Sequence, residues 1–196
     1  MTDDPVPRGD ASRCSLTGRC LVATSRMRDP MLAGAVIYLC VHSEQGAMGV
    51  VINRILEGFS FLGLLRELHL PRPERDPEIP VHFGGPAERQ QGFALHTADY
   101  VRDDTVVLNA AMAFTATREA LRDIAHGTGP RRALVALGYT GWPPGQLDAE
   151  VRDDQWLVTD ADPDLVFAPE SDTKADLALA RLGIDPARLS GEGGHA

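Results

Sequence analysis

Ala35-Val36-Ile37-Tyr38-Leu39-Cys40-Val41-His42, Ser43-Glu44-Gln45-Gly46, Ala47-Met48-Gly49-Val50-Val51-Ile52-Asn53-Arg54 is the stretch that decides the fold. Two apolar runs rich in β-branched and aromatic residues flank a polar segment that ends in glycine, which is the pattern of a β-hairpin. Polar groups mark its ends, with His42 on one side of the turn and Asn53-Arg54 at the far end of the second strand.

Outward from this hairpin, a short strand is expected at Cys20 to Thr24, followed by a turn at Met27-Arg28-Asp29-Pro30. After the hairpin, Ser60 is a candidate helix N-cap, with Phe59 and Leu64 at hydrophobic-staple spacing and Phe61, Leu64, Leu65 and Leu68 on one face. That helix should end near His69, and the prolines at 71, 73, 77 and 80 make the next segment a loop. Short strands are expected at Val81 to Phe83, Gly92 to His96 and Thr105 to Asn109. A second helix should run from Thr115, as N-cap, to His126, with Gly127 as stop signal. Ala133 to Tyr139 is uncharged and nearly all apolar, the pattern of a central strand covered on both faces. Gly141 to Gly145 turns the chain into a helix at Gln146 to Arg152, and Trp156 to Thr159 is the last strand. A terminal helix over Thr173 to Leu182 has capping-box spacing at Thr173 and Asp176, Gly183 as its C′ residue and Ile184 for a Schellman contact. Asp185-Pro186 then has the N-cap and N1 preferences of one more turn. Hairpins dominate over strand–helix alternation, so the expected fold is α+β, built on a mixed, mostly antiparallel sheet with flanking helices.

The 196 residues (21.1 kDa) fit one domain, expected at 18–196 behind a flexible, Pro-, Asp- and Arg-rich leader at 1–17. No apolar run approaches the ~20 residues of a membrane helix, and the acidic N-terminus lacks an apolar signal region. A cytoplasmic location with no membrane contact is therefore expected. The net charge of −9 is concentrated: Asp148 to Asp176 holds ten acids against Arg152 and Lys174, whereas Arg8 to Arg28 holds five arginines and one aspartate. The basic residues are 18 arginines and the single Lys174. With pI 5.1 and no clustered basic face on the expected domain, the composition argues against nucleic-acid binding.

Several chemistries are absent as motifs. Gly58 to Gly63 has phosphate-loop spacing but is followed by Leu64-Leu65 in place of Lys-Ser/Thr, and there is no Gly-x-Gly-x-x-Gly. No nucleotide or other cofactor is expected. Gly84-Gly85-Pro86 and Gly127-Thr128-Gly129-Pro130 are candidate anion cradles, although Gly beside Pro also makes ordinary turns. Cys14, Cys20, Cys40 and His42 make a three-Cys, one-His set whose spacing does not fit structural zinc, and no His-Glu-x-x-His occurs, so no metal is expected. Gly-x-Ser-x-Gly is missing, and Ser25, Ser43 and Ser60 read as turn or cap residues. Cys40 with His42 on one strand face is the sole Cys–His pair worth weighing as a reactive thiol.

The hairpin, together with Phe83-Gly84-Gly85-Pro86, Gly92 to His96, Ala136 to Trp142 with Gly145-Gln146-Leu147, Trp156-Leu157 and Leu182 to Pro186, resembles the AlgH/YqgE-type protein family over about Gly18 to Ala196. The resemblance implies one α+β domain with a strongly curved mixed sheet and a bacterial cytoplasmic setting. It implies no agreed catalytic residues, and the family label points to transcription regulation. The chain departs from the family pattern at Val41, where Glu is usual, at Gln91, where Arg is usual, and at Ala175, where an aromatic is usual.

The first functional reading is a non-enzymatic binding or regulatory protein for an unidentified small ligand or protein partner. Its concave site would be framed by His42, Asn53, Arg54, Gly84, Gly85, His96, Trp142 and Gln146. Arg54 would hold an acidic group, Asn53 and Gln146 would satisfy polar edges, and Trp142 would be either an apolar floor or a plug. The second reading is a hydrolase using His42, His82 or His96 as base, tested by whether one of them lies within hydrogen-bond reach of a nucleophile, carboxylate or metal. The third is a protein–protein interaction module.

Overall fold

The computed structural model describes residues 15–185. The sequence-derived leader falls largely outside them, as do Cys14 and Pro186. The described strands are β1 (Arg19–Ala23), β2 (Val36–Ser43), β3 (Gly46–Val51), β4 (Ile55–Ser60), β5 (Pro80–Phe83), β6 (Ala87–Thr97), β7 (Val106–Val107), β8 (Met112–Thr115), β9 (Ala133–Trp142) and β10 (Trp156–Asp160). The helices are α1 (Phe61–Glu67), α2 (Arg118–Ala125), α3 (Gln146–Arg152), α4 (Pro163–Val166) and α5 (Lys174–Arg181), the last entered through a 3₁₀ turn at Ser171–Thr173.

The strands form one sheet in the order β10-β1-β2-β3-β9-β6-β8-β7, with β5 pairing both β4 and β9. All pairings are antiparallel except β5–β9. The expected α+β class with a mixed, mostly antiparallel sheet is what forms. β9 is its branching strand. Its first half, Ala133 to Leu137, lies between parallel β5 and antiparallel β6, and its second half pairs with β3 from Thr140 to Trp142. Gly138, at φ 74°, makes the bend between the halves; a Cβ there would sit 2.5 Å from Gly85 O. A second irregularity, between Leu39 and Val41, bends the sequence-defining hairpin.

Because β2 is buried on both faces, its side chains feed two cores. Val36, Tyr38 and Cys40 join Val50, Ile52, Phe93, Leu95 and Leu134 in a core that runs across both halves of the sheet and is covered by Leu165 and Val166 of α4 and Ala178 and Leu179 of α5. Ile37 and Leu39 face the other way, with Trp142, Leu147 of α3 and Trp156. Beyond the β9 bend, that opposite face is covered by Phe61, Leu64 and Leu65 of α1 and Leu121 and Ile124 of α2. Leu134, Val135 and Ala136 are at most 3% exposed, as a strand flanked on both edges and both faces must be.

The expected basic and acidic segments turn out to face each other. β1 pairs with β10, and Arg19, Arg26 and Arg28 form ion pairs with Asp160, Asp154 and Asp153. Arg132 and Arg181 pair with Asp164 and Asp162 in the same acidic stretch.

Several boundaries differ from expectation. Helix α2 is capped by Thr117, whose hydroxyl accepts from Ala120 N, rather than by Thr115, which lies in β8. Thr173 makes no capping box: its backbone is already helical and its hydroxyl donates to Glu170 O. The Schellman end of α5 does form, with Ile184 N donating to Leu179 O and Gly183 N to Ala180 O. Strands β4 and β8 and helix α4, the last capped by Asp162 with Pro163 in its first turn, are additional elements.

Candidate functional site

The residues singled out from sequence fall into three separate places. His42, Trp142 and Gln146 meet at the turn end of the β2–β3 hairpin. Leu16 N donates to His42 Nδ1 at 3.0 Å, which leaves Nε2–H to face Asp148 Oδ1 at 3.5 Å. Trp142 Nε1 and Trp156 Nε1 both donate to Glu150 Oε2, at 2.9 and 2.8 Å, and Gln146 Nε2 donates to Glu150 Oε1 at 2.8 Å. The two indoles pack edge to face at 6.0 Å. Trp142 is 5% exposed, so it is the plug rather than the floor. The Trp142 indole N–H, the Gln146 side-chain N–H and both ring nitrogens of His42 thus already face partners within the protein.

His96 lies in another place. Its Nδ1 is 2.9 Å from Thr97 O, which can only accept, so Nε2 carries the lone pair and receives the Thr115 hydroxyl at 2.9 Å. Burial holds its imidazole below the ordinary pKa. Tyr100, edge to face with His96, donates to Asp123, which also binds Arg102 and Arg122.

Asn53 and Arg54 are about 20 Å along the strand from the first group, by the rise per strand residue from Ala47. Asn53 Oδ1 accepts from Val36 N at 2.8 Å and Nδ2 donates to Gly34 O at 3.0 Å. Arg54 donates to the carbonyls of Met31 and Ala33. Both therefore fasten the 31–36 loop, and this occupies much of the hydrogen-bonding capacity that the sequence reading gave to a ligand. Gly84 and Gly85 lie nearby for a steric reason. A Cβ on Gly84 would meet Gly138 O at 2.1 Å and one on Gly85 would meet Tyr139 C at 2.2 Å, because β9 passes against them. Gly84 N is already used, donating to Leu137 O, so the Gly84-Gly85 cradle is a strand crossing. Gly127 and Gly129 follow the end of α2, with Gly129 packed on the Ile124 backbone.

Around Asn53 and Arg54 there is nevertheless a cleft of about 750 Å³. Met31, Ile55 and Phe83 supply apolar wall, and Glu57, Ser171 and Asp172 supply polar groups in addition to Asn53 and Arg54. Sequence reasoning missed Ser171 and Lys174 as site residues; His82, which it named as a candidate base, is the histidine that meets Ser171. Val135 O lies 3.3 Å from His82 Nδ1, and a carbonyl only accepts, so that nitrogen carries the proton. His82 Nε2 is then the acceptor for the Ser171 hydroxyl at 3.2 Å. Burial, with the Lys174 charge second, lowers His82 to about 4. Lys174, 1% exposed, donates to Ile52 O at 2.9 Å and has no salt bridge to a carboxylate among the described residues. Burial lowers it to about 8. The available signal was the Ser-x-x-Lys spacing around the chain's one lysine.

Among the described residues, no three His, Cys, Asp or Glu gather in a metal-binding group. Cys20 and Cys40 are buried, with the Cys20 thiol pushed up to about 12 by burial and Cys40 also raised, which removes the thiolate a reactive Cys40–His42 pair would require. No described helix is long and apolar enough to cross a membrane. Val41 is exposed at the hairpin bulge, Gln91 lines a second hollow of about 650 Å³, and Ala175 packs at the margin of the shared core.

The fold is thus a single curved α+β domain, bent at β9 and filled on both faces. Residues 20–187 match the AlgH-like family, DUF179, and the chain belongs to that family. It is 50% identical over 182 residues to a UPF0301 protein of Rhodospirillum rubrum, covering 92% of this chain and 94% of that one. It is 46% identical over 183 residues to a UPF0301 protein of Jannaschia sp., covering 92% and 95%. The solution structure of AlgH from Pseudomonas aeruginosa superposes with a TM-score of 0.79 at 38% identity, over 96% of this chain and all of that one. A crystal structure of a Corynebacterium diphtheriae protein shares the fold at TM-score 0.67 and 24% identity, over 96% of this chain and 92% of that one.

Proposed function

We propose that this protein is a cytoplasmic binding or regulatory protein that takes a small polar molecule into the cleft beside Arg54, and that it acts by binding rather than by multiple turnover. The cleft itself carries this reading: about 750 Å³ is the size of a small-ligand pocket, and it combines apolar walls with a few polar groups. Arg54 against Glu57 and Asp172 favours a ligand with both donor and acceptor edges and little net charge. The arginines of the folded N-terminal segment are paired with carboxylates, which argues against a phosphate-binding face for nucleic acid.

The test is a thermal-shift screen of metabolites against the wild type and Ile55→Trp, a substitution at a half-exposed wall residue that fills the cleft. A ligand at 100 times its Kd should stabilise the wild type by about 2.7 kcal/mol and leave the variant unmoved. Compounds that shift both proteins equally would remove the cleft from the reading. The hydrolase reading is favoured by one observation, the His82–Ser171 contact, and only His82 of the three strand-end histidines has a nucleophile beside an open cleft.

A further inference from the structure

Ser171 begins the 3₁₀ turn that runs into α5, and Lys174 is the first residue of that helix. Three residues apart on helical backbone, their side chains lie on the same side. Ser-x-x-Lys is also the spacing of nucleophile and lysine in serine acyl-transfer enzymes of unrelated fold, although the spacing alone is common by chance. Here it is accompanied by two independent features. Ser171, 7% exposed, is among the residues that line the cleft, and its hydroxyl donates into an imidazole nitrogen whose tautomer is fixed from the other side by Val135 O. The Ser171 hydroxyl makes no cap bond to its own helix; it goes instead to His82 on β5, 89 residues earlier.

We propose that Ser171 is a nucleophile that takes an acyl group from a small ester or thioester bound in the cleft, with His82 accepting its proton. The proposal rests on the cleft being a ligand site. Ser171 Oγ attacks the carbonyl carbon of R–CO–X, forming the new C–O bond while its proton passes to His82 Nε2. The tetrahedral intermediate then breaks its C–X bond, and the same proton leaves with X as the free alcohol or thiol. The products are acyl-Ser171 and HX, and no oxidant, metal or further reactant is consumed. A stable adduct is a form of binding, so the step suits a sensor as well as an enzyme. Lys174 is a positioning residue: after burial, its ammonium helps to keep His82 neutral, and in this scheme its positive charge favours the negative charge that develops on the acyl oxygen.

The pH dependence separates these roles. Cys20 on β1 and His82 on β5 are the titratable groups acting on or acted on by Lys174, and Cys20 stays protonated because burial raises it to about 12. His82 is neutral above about 4 and Lys174 charged below about 8, so acylation should be level between them and fall above 8.

The full chain is treated with p-nitrophenyl butyrate and, separately, with an alkyl fluorophosphonate, then followed by intact mass and peptide mapping. The expected result is one adduct per chain, on Ser171, none on Ser171→Ala, and slower reaction with Ile55→Trp. His82→Gln should react about 100-fold more slowly, the usual scale of a lost general base. Lys174→Met should keep its fold and lose the decline above pH 8. Because His82→Gln removes a core contact, the wild-type pH profile is the independent check on His82: a rate rising through pH 8 would assign the base to Lys174 and overturn the assignment. An adduct on the Lys174 amine, equal labelling of Ser171→Ala, or no adduct with either reagent would overturn the nucleophile. If ligands still shift the wild type but not Ile55→Trp while no adduct forms, acylation fails and the binding reading stands. If Ile55→Trp is acylated as fast as the wild type, both fail.

Discussion

Glu150 of α3 and Lys174 of α5 are polar groups on helices packed against the same sheet, and they are treated in opposite ways. The half-buried Glu150 carboxylate is saturated by two indole N–H groups and an amide. Lys174 is deeper, yet its ammonium has a single carbonyl acceptor among its hydrogen bonds and shifts its pKa instead. A group that exists to hold a fold is matched donor for acceptor, because each orphan costs stability. One left nearly alone beneath an open cleft costs stability and is worth asking about chemically. The contrast also ranks the two ends of β3: the Trp142 end is a lock, and the Arg54 end is the candidate site.

Removal of the lock should have the largest effect. Trp142→Ala should cost about 3–5 kcal/mol in urea unfolding, from lost aromatic burial and cavity. Glu150→Ala should cost about 2–4 kcal/mol, since it strands two indole N–H groups. A loss under 1 kcal/mol for both would mean that this end is no lock.

At the other end the predictions run through pH. His82 is lowered in the folded chain to about 4, below its unfolded value near 6.5, so its contribution is fully present above 6.5 and is lost as pH falls toward 4. Over that window the wild type should lose about 2–3 kcal/mol more than His82→Gln. Parallel pH profiles for the two proteins would show that the imidazole is not buried neutral.

Lys174 should behave conversely. With its folded value near 8 and an ordinary value of 10.5, the penalty is full below 8 and is relieved as pH rises from 8 to 10.5. Lys174→Met should therefore be about 1–2 kcal/mol more stable than the wild type at pH 7, with the advantage shrinking by pH 10. A destabilised variant would mean that the ammonium is better paired than its surroundings show. The smallest effect concerns the two buried thiols. In a Cys14→Ser background, Cys20 and Cys40 should resist a disulfide reagent in the native protein and both react on unfolding.

Much of the scaffold was legible because its signals are local. The β2–β3 hairpin, β9, the Ser60 cap of α1, α3 and the Schellman end of α5 each follow from periodicity or capping chemistry within a few residues. β4 was not legible: Ile55 to Ser60 is largely exposed and pairs with β5 at only its two ends. β8 was not legible: the expected strand at Thr105 to Asn109 covers β7 alone, Thr115 has the look of a helix cap, and the turn between the two strands is held by Asn109 rather than by glycine. The site was harder, since its meaning lies in partners distant in sequence. Asn53 and Arg54 have the chemistry of ligand-holding groups, and nothing in their spacing says that the 31–36 loop lies over them. Ser171 looks like a loop hydroxyl until His82 is placed against it.

The pairing of β1 with β10 also has a consequence for how the chain is made. Arg19 waits for Asp160, 141 residues later, and β3 cannot gain its second neighbour before β9 has emerged. At the ~5–20 residues per second of synthesis, β1 stands with an open edge for roughly 7–28 s. Such non-local closure places folding on the slow side for a chain of this length. The nascent protein therefore spends seconds as a partly paired ribbon, and chaperones that shield strand edges should influence its yield more than its final stability.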